Sequence, residues 1–252
     1  MEAMKRVLSH VRRAVDDYSM INEGDKVAVG VSAGKDSLTL LCALAELRRF
    51  YPKKFELIAI TVDMGFDGTD FSPIKALCDE LDVEYHIIET QISKVIFDVR
   101  KEKNPCSLCA KMRRGALYSG ARELGCTSVA LGHHFDDVVE TFMLNLFYEG
   151  RIGCFQPVTY LTKTEITLIR PMIYMPEKDV RYFAGKNDLP VVKSSCPADG
   201  NTEREEMKQL LRTLEKENKG LRYKIFGAIQ RGEVDGFKYI SRMQGMKEYF
   251  EE

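Results

Sequence analysis

The feature that most constrains this fold is an alternation of short apolar runs with segments whose apolar residues recur every three or four positions. The runs KVAVGVS (26–32), FELIAITVDMG (55–65), VEYHIIET (83–90) and TSVALG (127–132) predict buried strands, and ITLIRPM (166–172) predicts a further strand. The segments between them predict helices. Strands that alternate with helices pair in parallel and carry helices on both faces. We therefore expect an α/β fold with a doubly wound, Rossmann-like parallel sheet.

Composition and charge are those of an ordinary globular protein. The 252 residues are 44% hydrophobic and 30% charged, and the formal net charge is −1. No apolar run approaches the roughly 20 residues that span a bilayer, and the charged N-terminal segment lacks the apolar core of a signal peptide. We expect a cytoplasmic protein with no membrane association. Its predicted organisation is an N-terminal helix (1–20), a main α/β domain (21–200) and a helical extension (201–252).

The loop after the first strand has the residue types of an anion site. In VAVGVSAGKDSLTLL, the segment from Ser32 to Ser37 joins a strand end to a helix start. Small residues let backbone N–H groups approach an anion, and the helix presents its positive end to that anion. The spacing differs from the GxxxxGK(S/T) loop of P-loop NTPases. A tight turn with a Ser or Asp cap is the alternative interpretation.

A second polar segment, GHHFDD, follows the fourth predicted strand and begins the next helix. Its His133, His134, Asp136 and Asp137 do not have the HExxH spacing of a helical zinc site. Acidic residues at a helix start also cap the helix and complement its dipole. Capping and a role in a ligand site can both apply, to different side chains.

The chain has seven cysteines, an odd number that favours thiols or ligands over a disulfide framework. Cys106 and Cys109 begin a predicted helix beside Lys111, Arg113 and Arg114, a setting that favours thiolates. Between positions 100 and 124 there are seven Lys or Arg and two Glu. Such a basic segment is either a nucleic-acid patch or a solvated helix face.

One Cys pair supplies half of the four ligands that a structural zinc site needs, so zinc is disfavoured, and a redox pair remains possible. Cys196, after a predicted extended segment, offers a third thiol. Three cysteines without a fourth suggest a 4Fe-4S cluster with one iron left open. The remaining cysteines are predicted to be buried and structural: Cys42, Cys78, Cys126 and Cys154.

Taken together, these segments resemble a known family. SAGKDS is similar to the SGGxDS pyrophosphate loop of the PP-loop ATP pyrophosphatases, with Ala33 in place of the second glycine. NPCSLCAKMRRGALY, VALGHHFDDVVETFMLNLFYEG, IRPM and the late Cys196 occur in the order and spacing of the tRNA 2-thiocytidine synthetases, the iron–sulfur branch of that family. The resemblance extends from the N-terminal helix to about Asn201.

The resemblance implies a site for ATP and Mg²⁺. It assigns nucleotide contacts to Ser32, Ala33, Gly34, Lys35, Asp36, Ser37, Val62, Asp63, Met64, Gly132 and His133. It also assigns catalytic roles to Lys35, Asp36 and Asp137, with Asp137 holding Mg²⁺ or orienting the reacting base. Cys106, Cys109 and Cys196 would hold the 4Fe-4S cluster.

The implied reaction adenylates the C2 carbonyl oxygen of a tRNA cytidine, at position 32 in the family, and replaces that oxygen with sulfur. The implied partners are a tRNA anticodon loop, a sulfur donor such as a cysteine desulfurase, and a second copy in a homodimer. Three alternatives remain open: thiolation of another base or a small molecule, a persulfide relay between Cys109 and Cys196 without a cluster, and a non-catalytic adenine-nucleotide-binding protein. The role of the C-terminal helices stays open.

Overall fold

A computed structural model describes residues 2–66, 68–100, 105–192 and 203–240. The strands are β1 (Asp25–Gly30), β2 (Phe55–Asp63), β3 (Glu84–Glu89), β4 (Ser128–Ala130), β5 (Val158–Leu161) and β6 (Ile166–Ile169). The helices are α1 (Glu2–Asp17), α2 (Lys35–Phe50), α3 (Ser72–Glu80), α4 (Ile92–Lys94), α5 (Pro105–Glu123), α6 (Phe135–Tyr148), α7 (Glu177–Lys186), α8 (Glu203–Glu217) and α9 (Leu221–Arg231). A π-helical turn, Val95–Val99, continues α4, and a short 3-10 turn, Val234–Gly236, follows α9.

The described strands form one sheet in the order β3-β2-β1-β4-β6-β5. All neighbouring pairs are parallel except β5 and β6, which pair antiparallel at one edge. The predicted parallel α/β sheet is therefore confirmed, with an antiparallel edge strand that the sequence did not indicate. From β1 the chain continues to β2 and β3 on one side of the sheet, and then returns to β4 on the other side of β1. The order of the strands therefore reverses at β1. Open α/β sheets bind ligands at such a switch point.

Two cores cover the two faces of the sheet, as expected for a doubly wound fold. On one face, α1 packs against α2 and α7, and its buried residues Val7, Val11 and Ala14 lie one or two turns apart. On the other face, α5 buries Leu117 and Tyr118 against the sheet. Burial on both faces explains why the central strands read as continuous apolar runs.

The two helices after residue 202, which we name the C-terminal helix pair (α8 and α9), pack on α6. Met207 and Leu211 of α8 and Phe226 of α9 are buried in the same core as α1 and α2. The predicted extension thus joins the main hydrophobic core, and the domain boundaries at 20 and 200 stay predictions. Among the described residues, no helix combines the length and the apolar character that a membrane span requires.

Candidate active site

The loop at the end of β1 is closed by hydrogen bonds to one serine. The backbone N–H of Ser32 donates to the Ser37 hydroxyl oxygen (3.1 Å), and that hydroxyl donates to the Gly34 carbonyl (2.9 Å). Gly34 is the N-cap of α2, and no side chain of the described residues caps this helix start. The first N–H groups of α2 therefore keep their capacity to bind an anion.

Ala33 adopts the left-handed conformation, with φ of 61°, and its side chain is buried. This conformation costs an alanine about 1–2 kcal/mol relative to the right-handed one. The Ala33 carbonyl accepts a hydrogen bond from the Val192 N–H (3.1 Å), which anchors the strained residue from outside the loop. The loop thus has a positive φ at the position where the motif has glycine, despite the methyl group of Ala33.

Asp36 has an unsatisfied oxygen in a charged environment. Its Oδ1 is buried and has no hydrogen-bond partner within the described residues, although Lys35 Nζ lies 3.1 Å away and His134 Nε2 lies 3.7 Å away. Burial would lower the pKa of the Lys35 ammonium, but the adjacent carboxylates of Asp36 and Glu177 raise it. A buried carboxylate oxygen without a donor is a suitable ligand for a hard cation such as Mg²⁺.

The ends of the neighbouring strands flank this loop. On one side lies β2, which pairs with β1; it ends with the half-buried Val62 and Asp63, and the half-buried Met64 follows it. On the other side, Gly132 follows β4 and packs on the loop, since a methyl group there would lie 3.1 Å from the Asp36 carbonyl carbon and the Ser37 nitrogen. The fold thus brings the predicted nucleotide segments together around the end of β1.

His134 and Asp137 form a capping box at the start of α6. The Asp137 Oδ2 accepts from the His134 N–H (2.9 Å), and the Asp137 N–H points to His134 Nδ1 (3.4 Å). The predicted capping role is therefore confirmed for Asp137, which also pairs with Arg204 at 3.2 Å. Its catalytic role stays a prediction. His134, which the sequence did not single out as a site residue, is buried and is the histidine that faces Asp36.

His133 stacks on Phe155, with ring centroids 4.8 Å apart, and its predicted nucleotide contact stays a prediction. The guanidinium of the buried Arg170 lies over Phe155, 5.0 Å from the ring centroid. Burial and the charge of Arg170 lower the pKa of His133 to about 4, so the imidazole is neutral at pH 7. The His133 Nδ1 and the Arg170 Nε are buried polar atoms that have no hydrogen-bond partner among the residues that the structure describes.

The cysteine pair lies in the first turn of α5. Cys106 is exposed and Cys109 is partly exposed. Cys42, Cys78 and Cys126 are buried, as predicted, and Cys154 is half-buried; burial raises the pKa of Cys42 and Cys154 to about 12. Cys196, the third predicted ligand, lies outside the described residues. Within the part of the chain that the structure describes, no three metal-binding side chains converge.

A dense set of ion pairs adjoins the loop and was not predicted. Glu177, the first residue of α7, lies 3.3 Å from Lys35, 3.2 Å from Lys208 and 2.8 Å from Arg181. Burial would raise the pKa of Glu177, but the hydrogen bonds from Arg181 and Lys208 outweigh it and lower the pKa to about 2. Arg222 of α9 pairs with Asp136 at 3.0 Å.

Comparison with known proteins places this geometry in a family. The model of the PP-loop domain matches residues 5–217. The tRNA-cytidine(32) 2-sulfurtransferase of Teredinibacter turnerae is 42% identical over 229 residues, which cover 90% of this chain and 76% of that protein. The enzyme of the same name from Geobacter sulfurreducens is 41% identical, with 89% of each chain covered. This chain belongs to the tRNA-cytidine(32) 2-sulfurtransferase family.

A solved structure similar to this sulfurtransferase-family chain is the U34-tRNA thiolase NcsA from Methanococcus maripaludis with its 4Fe-4S cluster. The two share 29% identity and a TM-score of 0.74, over 90% of this chain and 79% of that one. The predicted PP-loop fold and family are thereby confirmed.

Replacing Gly132 with alanine should weaken ATP binding without unfolding the protein. The new methyl group would lie 3.1–3.2 Å from backbone atoms of Asp36 and Ser37, so the loop must shift by a few tenths of an ångström. We expect a roughly tenfold higher Kd for Mg·ATP by isothermal titration calorimetry, since small displacements at a preorganised site are costly. Gly185→Ala is the control, because no atom lies within 4 Å of its new methyl group. Equal Kd values for the two variants would contradict this contact.

The half-buried, neutral His133 should make folding stability depend on pH. Its folded pKa of about 4 lies below the ordinary value of 6.5, so the unfolded chain binds the proton first as the pH falls. Stability is then present above pH 6.5 and is lost down to pH 4, by about 3 kcal/mol. Urea unfolding of the wild type and His133→Gln at several pH values measures this difference. The prediction is wrong if the two stability curves run parallel between pH 6.5 and 4.

Proposed function

We propose that this chain thiolates tRNA in an ATP-dependent reaction, replacing the C2 oxygen of the cytidine at tRNA position 32 with sulfur. The observation that carries the proposal is the combination, in a chain of the sulfurtransferase family, of an uncapped phosphate loop with an accessible Cys pair on α5. An ATP-binding PP-loop domain supplies the activation, and the thiolase NcsA, which is similar in structure, carries a 4Fe-4S cluster.

In the proposed first step, the cytidine O2 attacks the α-phosphorus of ATP. The bond from that phosphorus to the oxygen bridging to the β-phosphate breaks, and pyrophosphate leaves. The N–H groups at the start of α2 and the Lys35 ammonium offset the charge that builds on the leaving group. Asp36, whose Oδ1 has no hydrogen bond, would hold Mg²⁺ beside the phosphates.

In the second step, sulfur at the sulfide level adds to C2, the C2–O bond breaks, and AMP leaves with the original oxygen. A 4Fe-4S cluster held by Cys106, Cys109 and Cys196 would supply that sulfur when it is bound. Cys106 and Cys109 fit this role, because they lie three positions apart at a helix start and both are accessible to solvent. The other four cysteines fit less well, because they are buried or half-buried and burial raises the pKa values of their thiols.

The proposed tRNA contact is the exposed basic surface of α5. Lys111, Arg113 and Arg114 are exposed within two turns of Cys109. Basic side chains steer the phosphate backbone, and an anticodon loop can present an unstacked base to a pocket. We also propose a cysteine desulfurase as the sulfur donor and a homodimer as the assembly.

Changing the cysteines should separate sulfur chemistry from ATP activation. We expect Cys106→Ala, Cys109→Ala and Cys196→Ala each to lose thiolation at least a hundredfold and to lose most of their iron, because a cluster with three protein ligands does not tolerate losing one. ATP binding should stay within about threefold of the wild type, since the phosphate loop is untouched. Iron and acid-labile sulfide are assayed on protein purified without oxygen.

Ser107→Ala is the matched control, because Ser107 is exposed between the two cysteines. It should keep its iron and its activity. Thiolation by iron-free wild-type protein would instead favour the persulfide relay, and ATP binding without pyrophosphate release on any tRNA would favour a nucleotide-binding protein. Sulfur incorporation into another base would contradict the proposed substrate and would support the proposed chemistry.

A further inference from the structure

Glu177 connects the phosphate loop to the C-terminal helix pair. One of its carboxylate oxygens, Oε1, lies 3.3 Å from Lys35 Nζ and 3.2 Å from Lys208 Nζ. The other, Oε2, lies 2.8 Å from Arg181 and 3.2 Å from Lys208. The side chain of Glu177 is largely buried, and these three cations are its counter-charges within the described part of the chain.

The C-terminal helix pair supplies cations to acidic residues that border the phosphate loop. Arg222 of α9 pairs with Asp136 at 3.0 Å and with Glu140 at 3.4 Å. Asp136 in turn accepts a hydrogen bond from the Glu177 N–H at 2.7 Å. The backbone of Glu177 is thus fixed through α9, and its side chain is shared with Lys208 of α8.

Lys35 is therefore held between two carboxylates, Asp36 and Glu177, rather than pointing freely into the loop. Lys208 and Arg181 share the charge of Glu177, which weakens its hold on Lys35. A cavity of about 310 Å³ is lined by Glu177, Arg181 and Lys208.

We propose that Glu177 is a positioning residue for Lys35, and that Lys208 of the C-terminal helix pair sets how tightly Glu177 holds it. With Glu177 in place, Lys35 is restrained to the position where it meets the departing pyrophosphate and is kept from pairing fully with the ground-state phosphates of ATP. The predicted changes in the rate of pyrophosphate release rest on the proposed function, whereas the predicted changes in ATP affinity require only that the chain binds ATP.

This arrangement predicts opposite changes in binding and in rate. Without the carboxylate, Lys35 pairs with the triphosphate of bound ATP and stabilises the ground state. Lys35 then adds less stabilisation as the reaction reaches the transition state. Glu177→Gln should therefore bind Mg·ATP about threefold or more tightly while releasing pyrophosphate at least tenfold more slowly at saturating ATP and tRNA. A purely structural role of Glu177 would weaken binding and slow the reaction together.

Lys208→Gln should act in the other direction. Glu177 then has one counter-charge fewer and holds Lys35 more tightly, so the Kd for Mg·ATP should rise about threefold. Lys216→Gln is the matched control, because Lys216 is exposed on the same helix, and it should leave the Kd unchanged. In a Glu177→Gln background, Lys208→Gln should change the Kd less than twofold, because the Glu177 carboxylate through which Lys208 acts is already absent.

The experiment uses the full chain, isothermal titration calorimetry with Mg·ATP, and pyrophosphate release with unmodified tRNA transcribed in vitro. Weaker or unchanged ATP binding by Glu177→Gln, in protein whose thermal unfolding matches the wild type, would overturn the proposal. If that variant is unfolded, Lys208→Gln decides: a Kd equal to that of Lys216→Gln overturns the proposal. A wild type that binds ATP but releases no pyrophosphate refutes the proposed function, and the binding arm still tests Glu177.

Discussion

The parallel pairing of β1 with both β2 and β4 brings the separate parts of the site together. Parallel neighbours end at the same edge of a sheet, so the loops after these three strands meet around the start of α2. Gly132 makes this meeting close, because its missing side chain lets the β4 loop touch the backbone of Asp36 and Ser37. The α5 helix packs on the face of the sheet opposite to that covered by α1 and α2, and it carries Cys106 and Cys109 at its start. ATP activation and sulfur delivery can therefore share one sheet edge.

Charge is the second constraint on the site. An ATP-binding loop must offer positive charge to phosphates, yet this one is surrounded by the carboxylates of Asp36, Asp136, Asp137 and Glu177. The structure balances them with cations from α7 and from the C-terminal helix pair, including Arg204, Lys208 and Arg222. The sequence left the role of the C-terminal helix pair open, and its ion pairs now connect it to the carboxylates beside the loop. Their contribution is electrostatic as well as apolar, because Met207 and Phe226 also join the core.

Much of the fold was predictable from the sequence, because buried strands and amphipathic helices leave periodic apolar patterns. The strands predicted at 26–32, 55–65, 83–90, 127–132 and 166–172 agree with β1, β2, β3, β4 and β6 to within three residues at each end. Two elements were missed for physical reasons. The edge strand β5 is four residues long and has no fully buried position, and the α4 segment is a single short turn extended by a π-helical one.

The site was predictable only where a local motif determines it. SAGKDS by itself indicates an anion-binding loop. The choice between His133 and His134 depends instead on which way neighbouring side chains of an extended backbone point. The pairing of Glu177 with Lys35 and Lys208 joins residues far apart in sequence, and no local pattern encodes it. Ala33 shows a further limit, because a residue that disfavours positive φ adopts it when the Val192 N–H and the surrounding core hold it there.

The most direct test of the account is nucleoside mass spectrometry of tRNA after reaction with the purified protein. Protein reconstituted with iron and sulfide without oxygen is incubated with ATP, Mg²⁺, a sulfide source and unmodified tRNA. The proposed function predicts 2-thiocytidine at position 32, with one AMP and one pyrophosphate formed for each sulfur incorporated. Sulfur incorporation that does not require ATP, or no thiolated nucleoside from protein that binds ATP and retains its iron, would contradict it.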